Sequence, residues 1–434
     1  MIYIRDAMYF KYGLEDKPPR TETLIFGVQW LAVTIPTIII IGNILAAVNG
    51  GGINISYLQS LLLMVGAVML VQLLYGHKLP LVVGPAAVLL IAVLASQGQT
   101  SGAINTSIII GGAVLGVVAG SGLFTYLKRL FTPRVIMVIL LLIAFTLSPT
   151  ILNLITTGSG ISSSNNLIFA ITLTLLVFLS HRVLRGLWKS TLPLWIMILG
   201  SLSYYALFGV LTPLPPDLHI LALPGGFASS LAVPELTMLV AFLICFLALA
   251  INDLGSIQAV GSLLGADEME NRVKRGITLT GVGNVLAGLL GVIGPVNYSM
   301  SPGVIAATGN ASRYTLIPAS VGLLLLACSP LAVGFISSIP SPVVGTILIY
   351  VMTAQMAAAF LLALEKQAFQ TLDHGLVVGL PIIIGTVVAF LPAAVTSQLP
   401  LVIRPLLGNG FVMGVLTVLF LEHVVFGGRD LRPH

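Results

Sequence analysis

From Leu24 to Phe426 this chain is mostly a succession of apolar runs long enough to cross a lipid bilayer, joined by short turns. No other property restricts its folding so strongly. A bilayer core about 30 Å thick takes roughly 20 apolar residues per helix. In hydrocarbon every backbone N–H and C=O must be bonded within the protein, so runs of this length span as helices. The composition agrees: 57% of the 434 residues are hydrophobic and 8% charged, with a mean hydropathy of +1.08, whereas soluble domains carry roughly 25% charged residues. The sequence therefore predicts an all-α polytopic membrane protein.

The first 23 residues are polar and of mixed charge, and the run Leu24 to Val48 is too long for a signal-peptide core, so it is expected to remain as the first span. Fourteen spans follow from the apolar runs, at about 24–47, 57–75, 79–95, 103–125, 133–152, 166–184, 191–211, 235–260, 276–293, 296–310, 314–333, 342–363, 374–392 and 406–426. With the N-terminus inside, this count puts 18 of the 19 Lys and Arg residues on the cytoplasmic side and leaves only Arg404 outside, as short-loop topology demands. Both termini are then expected in the cytoplasm, with the protein in the plasma (cytoplasmic) membrane. The net charge of +5 is accounted for by this topology and carries no nucleic-acid signal. Cys245 and Cys328 show no CxxC spacing and no neighbouring histidine, so neither a disulfide frame nor a zinc site is expected.

The stretch from Thr212 to Pro234 holds five prolines and divides the spans into seven and seven. An odd number of spans per repeat inverts the second copy, which predicts a 7+7 inverted repeat. The third span of each half supports it: LPLVVGPAAVLL and GPVNYSMSPGVIAA both carry a Gly/Pro interruption where a helix should cross the membrane. Proline lacks the amide hydrogen and disfavours helix in the residue before it. Short extended segments are therefore expected near Pro85 and Pro302, with half-helices aiming their positive ends at the membrane centre. Matched interruptions of this kind point to a transport site.

Asp253 is the one acid that the pattern places deep inside an apolar run. An intramembrane carboxylate costs several kcal/mol unless paired, hydrated or protonated, which marks it as functional by default. Asn252 and Ser256 lie four residues apart on one helical face, with Asp253 about 100° round from Asn252. One face can hold a polar ligand while the acid looks toward a neighbouring helix; the alternative is a buried hub that never meets substrate. All six histidines fall in loops, at span ends or at the terminus, and there is no P-loop. The sequence thus predicts no enzyme, no ATP-driven pump, no catalytic or metal-ligating set and no cofactor. Gly112, Gly116 and Gly120, like Gly281, Gly283 and Gly288, read as close helix packing.

YGLEDKPPRTETLIFGVQW and the span-ten segment Met300, Ser301, Pro302, Gly303 and Thr308, followed by GNASR, resemble the signatures of the nucleobase–cation symporter-2 or nucleobase–ascorbate transporter family. The resemblance covers nearly the whole chain. It implies a core domain of spans one to four (24–125) and eight to eleven (235–333). A gate domain is made of spans five to seven (126–211) and twelve to fourteen (334–426), with an external loop at 212–234 and cytoplasmic segments at 1–23 and 427–434. It implies proton-coupled uptake of a nucleobase or similar small heterocycle by elevator-like alternating access, with sodium as the alternative ion, and a homodimer in the bilayer. Substrate would be held by Asn252 and Ser256, by Gln29, by Gly84, Pro85 and Ala86 in span three, and by Ser299, Met300, Ser301 and Gly303 in span ten, with Asp253 carrying the proton. Two family acids are missing, since Asn252 and Met300 stand where the family has Glu and Gln or Glu. That loss favours an alternative, a small anion on the related sulfate-permease architecture; a channel or a non-transporting scaffold is the third reading.

Overall fold

The computed structural model describes residues 10–426 apart from 49–53, 97, 123–129, 131, 157–160, 186–187, 190, 210–218, 226–229, 299, 397 and 401–406. The first half runs α1 (Arg20–Val48), α2 (Ile55–Leu74), strand β1 (Val83–Pro85), α3 (Ala87–Ala95), α4 (Ser101–Gly120), α5 (Pro133–Thr146), α6 (Ser148–Thr156) and α7 (Ser163–Val183). It ends with α8 (Leu192–Phe208), which contains a π turn at Ile196–Gly200. The second half runs α9 (Leu236–Leu264), α10 (Met269–Leu289), strand β2 (Pro295–Asn297) and α11 (Ser301–Thr308). It continues with α12 (Ile317–Ala327), α13 (Pro330–Ser337), α14 (Ser341–Glu365), α15 (Leu372–Ala389) and α16 (Gly410–Phe420). Caps set several starts: Asn54, Thr100 and Thr132 accept backbone N–H groups at the first turns of α2, α4 and α5, and Pro133 occupies N1.

Among the described residues eight helices are long and apolar enough to cross a membrane: α1, α2, α4, α5 with α6, α7, α9, α14 and α15. The other apolar runs of the sequence are built differently. Predicted spans three and ten are each a three-residue strand leading into a short helix, nine residues in α3 and eight in α11. Predicted span eleven bends by 100° between α12 and α13. Predicted span nine, α10, carries Glu270, Arg272, Lys274 and Arg275 in its first turns.

Lipid is as apolar as leucine, so contact between membrane helices rests on close packing rather than on water exclusion. The seam between α4 and α10 shows this. A Cβ on Gly281 would lie 2.5 Å from the Gly116 nitrogen, and one on Gly112 would lie 2.8 Å from Gly281 O, so the two backbones touch where any side chain would hold them apart. α2 lies along α12 as α4 lies along α10, and β1 contacts α1 and α2 as β2 contacts α9 and α10. Trp30 anchors α1 in this interior, donating from Nε1 to Thr315 Oγ1 at 3.3 Å. In the other half of the molecule, Glu422 is buried just beyond α16 and meets Arg134 of α5 through Nε at 3.1 and 3.0 Å. The hydropathy pattern did not single out this second buried acid.

Candidate functional site

Two broken spans meet head to head at the centre of the molecule. β1 and β2 pair antiparallel with Val83 opposite Asn297, Gly84 opposite Val296 and Pro85 opposite Pro295. The prolines that forbid helix here also free backbone groups, which the crossing satisfies: Ala86 N donates to Gly294 O at 2.9 Å and Tyr298 N to Val82 O at 2.8 Å. Ser301 Oγ accepts from Val82 N at 3.0 Å and lies 3.0 Å from Tyr298 O. Gly84 is needed because the Tyr298 ring rests on it; a Cβ there would collide with the ring. The Tyr298 hydroxyl reaches past it to donate to Pro85 O at 2.8 Å.

Behind β2 sits Asp253, fully buried on α9. Its Oδ1 accepts from the Asn297 backbone N at 2.9 Å and from Asn297 Nδ2 at 2.6 Å, and its Oδ2 accepts from Thr280 Oγ1 at 2.7 Å. Three donors and, among the described residues, no cation partner make this a cradle for a negative carboxylate. Asn297 also accepts at its carbonyl from Ser256, whose Oγ lies 3.0 Å away, and at Oδ1 it meets His77 Nε2 at 3.1 Å. Asn284, on the same face of α10 as Thr280, donates to Pro295 O at 2.9 Å and so fixes the other end of the strand.

In front of the strands lies a cavity of about 340 Å³, within the usual range for small-molecule sites. One wall comes from α1, the start of α3, α9 and the β2–α11 segment, and includes Thr37, Ala86, Asn252, Tyr298 and Met300. The facing wall comes from α5, α7, α14 and the segment leading into α8, and includes His181, Tyr350 and Gln355. His181 Nδ1 stands 3.0 Å from the Tyr350 hydroxyl. Among the described residues none hydrogen-bonds to the Asn252 side chain, which leaves its amide free for whatever enters.

Of the residues singled out in the sequence, the structure brings Asn252, Ala86 and Met300 to the cavity. It turns Asp253 and Ser256 to the rear of β2, where they hold the strand. Gly84, Pro85 and Ser301 shape the strand crossing without lining the cavity. Gln29 stays apart from the cavity, one turn before its nearest wall residue on α1, Val33, with its Oε1 enclosed and unbonded among the described residues. Gly303 lies in the first turn of α11, and Ser299 lies outside the described residues. Sequence reasoning missed Tyr298, the His181–Tyr350 wall and, most of all, His77. Histidine 77 reads as a loop residue after α2, yet it is fully buried against the partner of Asp253. The available signal was the tripeptide Gly76, His77, Lys78 immediately before the first broken span.

Two half-spans crossing behind a cavity, inside a bundle of membrane-length helices, mark a multi-pass membrane protein. Residues 21–394 match the family model Xan_ur_permease, described as "Permease family", and the chain belongs to that family. It is 25% identical to the xanthine permease of Bacillus subtilis over 419 residues, covering 93% of each chain. It is 24% identical to the uric acid permease PucK of the same organism over 422 residues, covering 94% of this chain and 96% of that one. In fold it is similar to the transmembrane domain of the cyanobacterial bicarbonate transporter BicA, with a TM-score of 0.62 at 18% identity over 85% of this chain and 95% of that one.

Proposed function

We propose that this protein is a secondary active transporter of a nucleobase or similar small heterocycle such as uracil or xanthine, driven by protons through Asp253. The observation that carries the reading is the adjacency of cavity and acid. Asn252 faces the cavity, Asp253 faces away, and between them Asn297 bonds the acid while its neighbour Tyr298 lines the cavity. A change of charge at Asp253 is then felt one peptide away from the substrate. Tyr298 offers a planar substrate an aromatic face, and Asn252 supplies a donor and an acceptor for a ring amide. Relatives named as xanthine and uric acid permeases support this substrate class.

The same reading includes fourteen spans in a 7+7 inverted repeat, a core domain (24–125 and 235–333) moving against a gate domain (126–211 and 334–426) in elevator-like alternating access, a homodimer, and both termini in the cytoplasm. The exchange of packing partners between the halves and the antiparallel β1–β2 crossing support the repeat. A small anion is the second reading. The described cavity lining contains Lys189 and His181 and no Asp or Glu, and the fold is similar to that of a bicarbonate transporter. Uptake into proteoliposomes decides between them: labelled xanthine or uracil is expected to accumulate when an inward proton gradient is imposed. Accumulation of bicarbonate with no uptake of either base would overturn the proposal.

A further inference from the structure

The polarity of the two side-chain hydrogen bonds to Asp253 is set from one layer further out. His77 Nδ1 accepts the Leu79 N–H at 3.0 Å, so this nitrogen bears no hydrogen and the ring proton sits on Nε2. That proton points at Asn297 Oδ1, 3.1 Å away. With its oxygen engaged by His77, the Asn297 amide can present only Nδ2 to Asp253. Thr280 is fixed in the same way: its Oγ1 accepts from Gln72 Nε2 at 3.1 Å, which leaves its hydrogen for the carboxylate. His77 itself is pinned, because Arg272 Nη1 donates to the carbonyls of His77 and Lys78 at 2.9 and 3.1 Å. Around Asp253, α9 contributes Asn252 and Ser256, α10 Thr280 and Asn284, α2 Gln72 and β2 Asn297, all neutral. Among the described residues His77 and Arg272 are the only other titratable or charged side chains in this network.

We propose that His77 is the positioning residue of the proton site: it fixes the direction of the Asn297 amide and so keeps Asp253 surrounded by donors alone, a setting that favours release of its proton. The inference rests on the reading of Asp253 as the coupling acid. Without His77, the Asn297 amide can turn and offer Oδ1 to a protonated Asp253, which favours the neutral acid.

The test is an infrared titration of the protein in proteoliposomes, with the carboxyl band of Asp253 assigned by its loss in Asp253→Asn. In His77→Phe and in Asn297→Ala the band is expected to titrate at higher pH, by about one unit or more. His77→Gln, which keeps one donor and one acceptor, should return it toward the wild-type position. A band that titrates as in the wild type in folded His77→Phe and Asn297→Ala overturns the proposal. Histidine-labelled wild-type protein gives a second reading that needs no variant: nitrogen NMR should place the hydrogen on Nε2 of His77, and a hydrogen on Nδ1 overturns the proposal. Proton-driven uptake is followed in the same vesicles. A shifted band with an unchanged pH profile of uptake keeps the role of His77 and removes Asp253 from the coupling step.

Discussion

Asn252 and Asp253 are neighbours in sequence that face opposite sides of one strand, and their substitutions should separate cleanly. Asn252→Ala leaves the fold intact and removes one donor and one acceptor from the cavity. Its binding constant for xanthine or uracil, measured by calorimetry on purified protein, should weaken about tenfold, the equivalent of one hydrogen bond of about 1.4 kcal/mol. Asp253→Asn keeps shape and most hydrogen bonds while abolishing titration. Uptake driven by a pH gradient should be lost while exchange of labelled for unlabelled substrate partly survives; normal accumulation against a gradient would return Asp253 to a structural role. The helical pitch alone predicted the different orientations of the two residues, because a 100° step needs no tertiary knowledge. His77 was out of reach of that logic. Its burial depends on Asn297, 220 positions away, and no local periodicity encodes such a contact.

Elements in this protein are joined where side chains are absent or paired. Gly281→Val should force α4 and α10 apart and lower the thermal unfolding temperature in detergent, since the added atoms have only the Gly116 backbone to enter. Glu422→Ala removes one carboxylate from a part-buried pair with Arg134 and should lower the unfolding temperature in the same melting experiment. A strap formed by residues 10–16 is a weaker element. Tyr12 bridges to Asn310 in parallel, and Glu15 meets Arg313 at 2.8 Å. Burial alone would raise the Glu15 carboxyl, but the Arg313 guanidinium beside it holds it below the usual carboxylate range. The tie is thus complete above the unfolded carboxylate value of about 4.3 and is lost as pH falls through the folded one. The protection factors of residues 10–16, exchange rates corrected for the intrinsic pH dependence of amide exchange, should fall on acidification below about pH 4 and stay constant between pH 6 and 8. Glycine spacing made the α4–α10 seam legible in advance, whereas the strap, built from backbone bonds between distant segments, left no pattern to read.

Across the whole molecule, orientation is the property most open to test. A cysteine at Lys274 should resist a membrane-impermeant reagent in intact cells, while one at Gly225, in the stretch between the halves, should react. Labelling in the opposite sense would reverse the topology. Hydropathy made the membrane class legible and the Gly/Pro interruptions the two broken spans, because both depend on local composition. The cavity was not legible, since its walls come from both halves of the chain. The strand crossing at the centre carries one more consequence, for the order of assembly. Pro85 accepts from the Tyr298 hydroxyl 213 positions later, and the backbone of β1 is paired with β2. At ribosomal rates of about 5–20 residues per second, roughly 10–40 s pass between synthesis of the two. During that interval the first half-span would hold unsatisfied backbone in lipid, which costs several kcal/mol per group. A nascent chain stopped before Pro295 should therefore keep residues 83–86 accessible to water-soluble probes or shielded by the insertion machinery, and final burial of the first half should await translation of the second.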